Sequence, residues 1–259
     1  MPGPLDDFGS ISVVVPAYNA ERVVVHTLDD IQAHLEAAAI PHEIIVVDDG
    51  SSDATARLVT ERGRGVRLIR SPANRGKGHA VRTGMLASTL DWAVFTDVDN
   101  STRIHHLDRF APHAAGADVI IASRRLAQSR IVRQQHRLRQ MLGRTFPYIV
   151  RTVALPGISD SQCGFKAFRR SAVQSIFTRQ RIERFAFDVE ILMLARRLGL
   201  TIAEAPADWD NPTDSTVRIR LDTFQMLGDV LSCSWRLRSR VPKPLPGLAA
   251  SSDAARPAP

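Results

Sequence analysis

Two stretches decide the fold between them: residues 11–16, ISVVVP, and residues 40–53, IPHEIIVVDDGSSD. The first is a short β-branched run stopped by a proline, the signature of a strand buried on both faces. Between the two, from Glu21 to Ala39, Val24, Leu28, Ile31 and Leu35 recur at helical spacing. The second stretch then gives a strand from Glu43 to Val47 that ends in acids. This β-α-β unit repeats: Ala54 to Arg62 reads as helix, Val66 to Arg70 as extended, Lys77 to Thr89 as helix and Trp92 to Thr96 as extended. Such alternation predicts an α/β fold with a mostly parallel central sheet flanked by helices. Ligands bind beyond the carboxyl ends of the strands in these sheets. PAYN (16–19), DDGSSD (48–53) and DVDNST (97–102) all stand at such ends, so they are expected to converge on one rim.

The chain of 259 residues, 44% hydrophobic, is long enough for one sizeable core. A single domain is expected over residues 10–238. After a further strand at 117–122 the alternation loosens. Residues 128–150 mix arginines with Ile131, Leu138, Met141, Leu142 and Phe146, an amphipathic basic helix or helical pair. A helix over 187–198, a strand over 201–205 and an amphipathic segment over 221–238 complete the pattern. The first nine residues and the Pro/Ala-rich tail 239–259 read as disordered.

Cys163 and Cys233 are too few for a disulfide framework and too far apart for paired metal ligation, which points to a reducing, cytoplasmic setting. The start MPGPLDDFGS lacks a signal-peptide pattern, and no apolar run reaches about 18 residues. The formal net charge of +7 calls for an anionic partner. That charge is local: residues 119–159 hold no acid but include Arg124, Arg125, Arg130, Arg133, Arg137, Arg139, Arg144 and Arg151.

Three motifs carry chemistry. Asp97 and Asp99 follow a buried strand, and hard carboxylate oxygens at that spacing suit Mg2+ or Mn2+, with substrate phosphates completing the shell. The bland reading is a loop of solvated acids, about equally common for the tripeptide alone. In DDGSSD, Ser51 or Ser52 reads as a helix cap, while Asp48 at the strand end suits a nucleobase or ribose. NRGKGHAVRTG sets Lys77 between Gly76 and Gly78 at a helix start, favourable for phosphate but without Walker spacing. A glycine-rich loop with a solvated lysine explains that segment equally well on its own.

Taken together and in order, VVVPAYNAE, IIVVDDGSSD, NRGKGHAVRTGM, FTDVDNST, SDSQCGFKAFRR and ERFAFDVEIL resemble the family 2 glycosyltransferases. Within that family the chain is most similar to polyprenyl-phosphate sugar transferases of the dolichyl-phosphate β-glucosyltransferase branch. The likeness spans about residues 11–236. It implies a nucleotide-diphospho-sugar transferase (GT-A type) fold. It implies a nucleotide-sugar pocket of Pro16, Ala17, Tyr18, Glu21, Asp48, Lys77, Asp97 and Val98. It further implies a Mg2+ or Mn2+ ion on Asp97 and Asp99, and an acceptor phosphate on Arg124 and Arg139. Asp160, Gln162 and Lys166 would lie near the donor sugar or metal and Asp188 and Glu190 deeper, with Asp97, Asp99, Asp160, Gln162 and Asp188 the catalytic set. Asn100, Ser101 and Gln135 depart from the family pattern.

The expected activity is inverting transfer of a hexose, glucose from UDP-glucose, to a polyprenyl phosphate at the cytoplasmic face of a membrane. A GDP-mannose donor and a sugar-hydroxyl acceptor are the rivals; the second needs a carboxylate base, Asp160 or Asp188. Expected partners are the nucleotide sugar, polyprenyl phosphate, an anionic membrane surface and, as an open option, a membrane protein. A haloacid-dehalogenase-type phosphatase would carry its DxD after the first strand, whereas here it follows the fourth. A nucleic-acid binder is motivated only by charge, and the basic stretch holds just Phe146 and Tyr148 as aromatics.

Overall fold

The computed structural model describes residues 3–63, 65–129, 150, 154–209 and 219–240, with the side chains of the last helix described at 226 and 228–237. Seven strands form one sheet: β1 (Ile11–Ala17), β2 (His42–Asp48), β3 (Val66–Arg70), β4 (Trp92–Thr96), β5 (Val119–Ser123), β6 (Phe165–Arg169) and β7 (Ile202–Pro206). Their order is β3-β2-β1-β4-β6-β5-β7. The helices are α1 (Val24–Ala37), α2 (Thr55–Arg62), α3 (Lys77–Ala87), α4 (Ala111–Ala114), α5 (Arg170–Phe177), α6 (Phe187–Arg197) and α7 (Ile219–Arg240), with 3-10 turns at Asp6–Phe8 and Ile104–Arg109.

Strand alternation divides the core into two layers. Val13, Val15, Ile44, Val46, Trp92 and Val94 face α1, Val59 of α2 and the 104–114 segment. Val14, Ile45, Val47, Ala93 and Phe95 face α3, α5, α6 and α7. Side chains of period two on strands covered on both sides produce the near-continuous apolar runs seen in the sequence.

β1–β4 are parallel neighbours in the manner expected. β6 runs antiparallel to both β4 and β5, and β5 and β7 pair in parallel. This reversal matters for function. An antiparallel strand presents its N-terminal end where its neighbours present their C-terminal ends, so the segment preceding Phe165 arrives at the same rim as DVDNST.

The N-terminus departs from expectation. Residues 1–9 read as disordered, yet Leu5 and Phe8 are buried, and the Phe8 ring meets Trp92 edge-on at 5.2 Å. Two apolar anchors in a polar, proline-containing stretch are enough to dock it, and Ser10 Oγ donates to Asp91 at 2.7 Å beside them. The basic stretch from residue 130 to 149, including Arg139, and the tail beyond 240 lie outside the described residues. No helix among the described residues is long and apolar enough to cross a membrane.

Candidate active site

The three strand-end segments meet at the carboxyl rim. Asn19, at φ 48°, donates its amide to Ser51 Oγ at 2.9 Å, while its side-chain oxygen accepts from the Ser52 amide at 2.9 Å. Pro16 and Ala17 close β1 as buried residues and Tyr18 projects from the rim, half exposed. Glu21 accepts from the Ala54 amide at 3.0 Å, so it also braces the start of α2. Neither Ser51 nor Ser52 caps that helix: α2 begins at Thr55, whose amide and hydroxyl both donate to Asp53. The serines are used one turn earlier, to fasten the loop after β2 to the loop after β1.

Asp48 is fully buried. Its Oδ1 accepts from the Ser51 amide at 3.0 Å, and its Oδ2 lies 3.2 Å from Arg70 Nε in an ion pair without good hydrogen-bond geometry. Its neighbour Asp49 has a different task. The Asp49 carboxylate accepts from the Arg75 amide and, at 2.7 Å, from the Gly76 amide, holding the glycine-rich loop to β2. Gly76 sits at φ 116°, and a Cβ there would come within 2.6 Å of the Glu183 carbonyl. The same carbonyl accepts from His79 N, so the loop before α3 and the ERF segment are packed together.

Lys77 opens α3 and places its ammonium 2.5 Å from Asp97 Oδ1. Burial opposes the charge on Lys77, but Asp97 and then Asp188 outweigh it and push its pKa up. Asp99 accepts from both the amide and the hydroxyl of Ser101. Partial loss of water around the carboxyl, reinforced by the charge of Asp97, pushes Asp99 up although the residue as a whole is exposed. The residues that broke the family pattern therefore have defined jobs: Ser101 orients Asp99, and Asn100, at φ 59°, donates to Asp30 on α1. Asparagine tolerates that left-handed conformation better than most side chains. A second strap to α1 runs from Thr27 Oγ1 to the Val98 carbonyl at 2.7 Å.

The antiparallel β6 brings in the remainder. A Cβ on Gly164 would fall 2.1 Å from Asp97 Oδ2, so only glycine lets QCGFK lie against the first acid of DVD. Asp160 does not stand open: Arg124 donates to it through Nε at 2.7 Å and Nη2 at 2.9 Å, and its backbone amide adds a third bond. Burial would raise the Asp160 pKa, yet Arg124 more than offsets that and holds it at about 2. Gln162 is half-buried, and its amide donates to Asp160 at 3.3 Å.

Lys166 is fully buried on β6 and donates to Asp188 and, at 2.5 Å, to the Cys163 carbonyl. Burial pushes the Asp188 carboxyl up even so. Glu190, one turn along α6, accepts from the Arg181 and Ile182 amides and pairs with Arg236 of α7, which makes it a brace between elements.

Of the residues expected at the site, the structure brings Lys77 to Asp97 and Arg124 to Asp160. Asp49, Thr27, Asp30 and Gly164, which were not among the expected site residues, brace the loops that carry them. Asp49 and Gly164 were visible as motif members. Thr27 and Asp30 lay inside an ordinary helical period and carried no signal.

Asp97 and Asp99 fit a divalent cation. They are hard oxygen donors two residues apart at a strand end, and a cationic group, the Lys77 ammonium, already lies on Asp97. Two protein carboxylates are fewer than a structural metal site needs, and the described residues hold no cluster of three or more metal-ligating side chains. Such a pair suits an ion shared with a phosphate-bearing ligand.

A family model described as Glycosyl transferase family 2 matches residues 12–177. The chain is 34% identical over 259 residues to the dolichyl-phosphate beta-glucosyltransferase of Dictyostelium discoideum, covering 91% of this chain and 79% of that one. It is 31% identical over 251 residues to the Homo sapiens protein of the same name, covering 88% and 78%. Among solved structures, it is similar to glucosyl-3-phosphoglycerate synthase from Mycobacterium tuberculosis in complex with Mn2+, UDP-glucose and phosphoglyceric acid. That match has a TM-score of 0.68 at 21% identity, over 87% of this chain and 80% of that one, and it shows the shared GT-A type fold.

Proposed function

From the premise that the chain belongs to glycosyl transferase family 2, we propose that it transfers glucose from UDP-glucose to a dolichyl-type polyprenyl phosphate, with inversion at the anomeric carbon. The observation that carries the choice of acceptor is the state of the two candidate bases. Asp160 is clamped by Arg124 with its pKa at about 2, too acidic to take a proton from a sugar hydroxyl near neutral pH. Asp188 is buried and bonded to Lys166. An acceptor that needs deprotonation would find neither carboxylate available, whereas a phosphate is already an anion and needs no base. The names of the relatives agree with this reading.

In this mechanism the Asp48 region receives the base and ribose of the nucleotide, between the PAYN loop and β2. Lys77, at the start of α3, meets the diphosphate, where its ammonium and the positive end of the helix both favour anions. Asp97 and Asp99 would hold Mg2+ or Mn2+, which when bound supplies several kcal/mol of stabilisation to negative charge on the leaving diphosphate. Arg124 faces the acceptor phosphate; Arg139, assigned the same task, lies outside the described residues. Attachment to an anionic membrane surface through the basic stretch 124–151 is part of the proposal, and sedimentation with anionic liposomes tests it.

The test of the reaction is incubation of the protein with UDP-glucose or GDP-mannose, dolichyl phosphate and Mn2+ or Mg2+, followed by product mass. The expected product is glucosylated lipid phosphate from UDP-glucose. A mannosylated product, or none from lipid phosphate but one from a free sugar, would overturn the assignment.

A further inference from the structure

Arg124 leaves β5 next to the residues that leave β7, because these strands pair in parallel with Ser123 opposite Pro206. The β7 exit is fastened from several sides. The Ala207 amide donates to the Ser123 carbonyl at 3.1 Å. Arg109 donates to the Pro206 carbonyl at 3.2 Å and to the Asp208 carboxylate at 3.0 Å. The Asp208 amide donates to Nε2 of His106 at 2.8 Å, while Nδ1 of that ring stands 2.9 Å from the Arg103 carbonyl. His106 is buried, and this pair of contacts fixes it as the tautomer with hydrogen on Nδ1.

The residue delivered by this fastening is Trp209, whose ring lies under the Arg124 guanidinium at 5.4 Å from its centroid. Asp160 occupies the Nε and Nη2 edge of the same guanidinium. β7 also supports Asp160, since Glu204 accepts from the Ser159 and Asp160 amides at 2.9–3.1 Å. One strand and its exit therefore hold both members of the ion pair. With one edge and one face occupied, Arg124 is fixed in plane and in tilt, and no described residue hydrogen-bonds its Nη1.

We propose that Trp209 is a positioning residue for the acceptor arginine, setting the plane of Arg124 so that Nη1 meets the incoming phosphate. The proposal rests on the assignment of Arg124 to the acceptor. A cation–π contact differs from simple packing in requiring a π face, which makes Trp209→Phe and Trp209→Leu the informative variants. Trp209→Leu is expected to raise KM for dolichyl phosphate about tenfold while leaving KM for UDP-glucose and the Tm near wild type. Trp209→Phe is expected to return the acceptor KM most of the way. A purely structural role would lower Tm and shift both KM values together.

A readout independent of turnover is the Arg124 Nε–H resonance in a nitrogen-proton NMR spectrum. It should be ring-current shifted in wild type and in Trp209→Phe, lose that shift in Trp209→Leu, and respond to titration with inorganic phosphate. A leucine variant with an unchanged Arg124 resonance, or with both KM values raised equally, overturns the role of Trp209. Wild type inactive on dolichyl phosphate, with the resonance behaving as expected but unmoved by phosphate, overturns the acceptor assignment, and with it the positioning role, while leaving the stacking intact.

Discussion

The two halves of the sheet treat charge in opposite ways. At the ends of β1, β2 and β4, Lys77 and Asp97 keep about a quarter of their side-chain surface open, at 24% and 29%. On the β5–β6–β7 side, Asp160, Lys166, Asp188 and Glu190 are buried and matched with partners from the chain itself. The first half leaves the Lys77–Asp97 pair partly open to a ligand, whereas the second matches its buried acids and Lys166 from within the chain and leaves Arg124, at 26% exposure, partly open. Charges of the first kind are expected to govern activity more than stability. Those of the second kind govern stability, because removing one partner strands a buried charge.

The largest effect should fall on the open half. Asp97→Asn or Asp99→Asn is expected to reduce glucosyl transfer by about a hundredfold or more, the scale of losing one group that stabilises developing charge. Tm should change little, as thermal unfolding beside steady-state assay would show; full activity would break the contrast. Gly164→Ala should resemble the Asp97 variant in activity, since its Cβ cannot coexist with the present Asp97 carboxylate.

The next effect belongs to the closed half. Lys166→Met is expected to cost roughly 3–5 kcal/mol of stability by leaving Asp188 buried and unpaired. Adding Asp188→Asn should recover part of that loss. A double-mutant cycle in denaturant titrations measures the coupling, and strictly additive costs would contradict the pairing.

The pH dependence of stability gives a third, smaller test. Asp160 falls from an ordinary 3.8 to about 2 on folding. A depressed carboxyl contributes stability that is fully present above the unfolded pKa and is lost as pH falls through the folded one. The shift corresponds to about 2 kcal/mol. Unfolding free energy should therefore drop between about pH 4 and pH 2. Asp160→Asn should flatten that part of the curve while lowering stability at neutral pH. The smallest effect concerns Asn100, at φ 59°. Asn100→Gly and Asn100→Ala both lose the bond to Asp30, and Asn100→Ala should cost about 1 kcal/mol more than Asn100→Gly, because alanine is disfavoured in that region.

Much of the open half was legible in the sequence. Strand runs, helical periods and polar strand ends repeat there with fixed polarity, so PAYN, DDGSSD and DVDNST had to share one rim. The closed half was legible only as motifs. Nothing in SDSQCGFKAFRR shows that its strand runs antiparallel, which is what carries Gly164 to Asp97 and Asp160 to Arg124. The same limit explains the reading of Asp160 as a candidate base: a carboxylate in sequence carries no mark of the arginine that neutralises it. The N-terminal segment failed for a smaller reason, as Leu5 and Phe8 were outweighed by the composition around them.

The sequence by itself determined the α/β class, the succession of the first strands and helices along the chain and the identity of the family, because periodicity and ordered motifs are local properties of the chain. Tertiary structure alone decided which charges remain open to ligands. Whether Asp97 meets a lysine, Asp160 an arginine and Arg124 a tryptophan depends on strand direction and on pairings between residues up to 85 positions apart. Those pairings set burial and net charge at each group, and through them which carboxylates stay open to a ligand and which keep a neighbouring arginine or lysine in place.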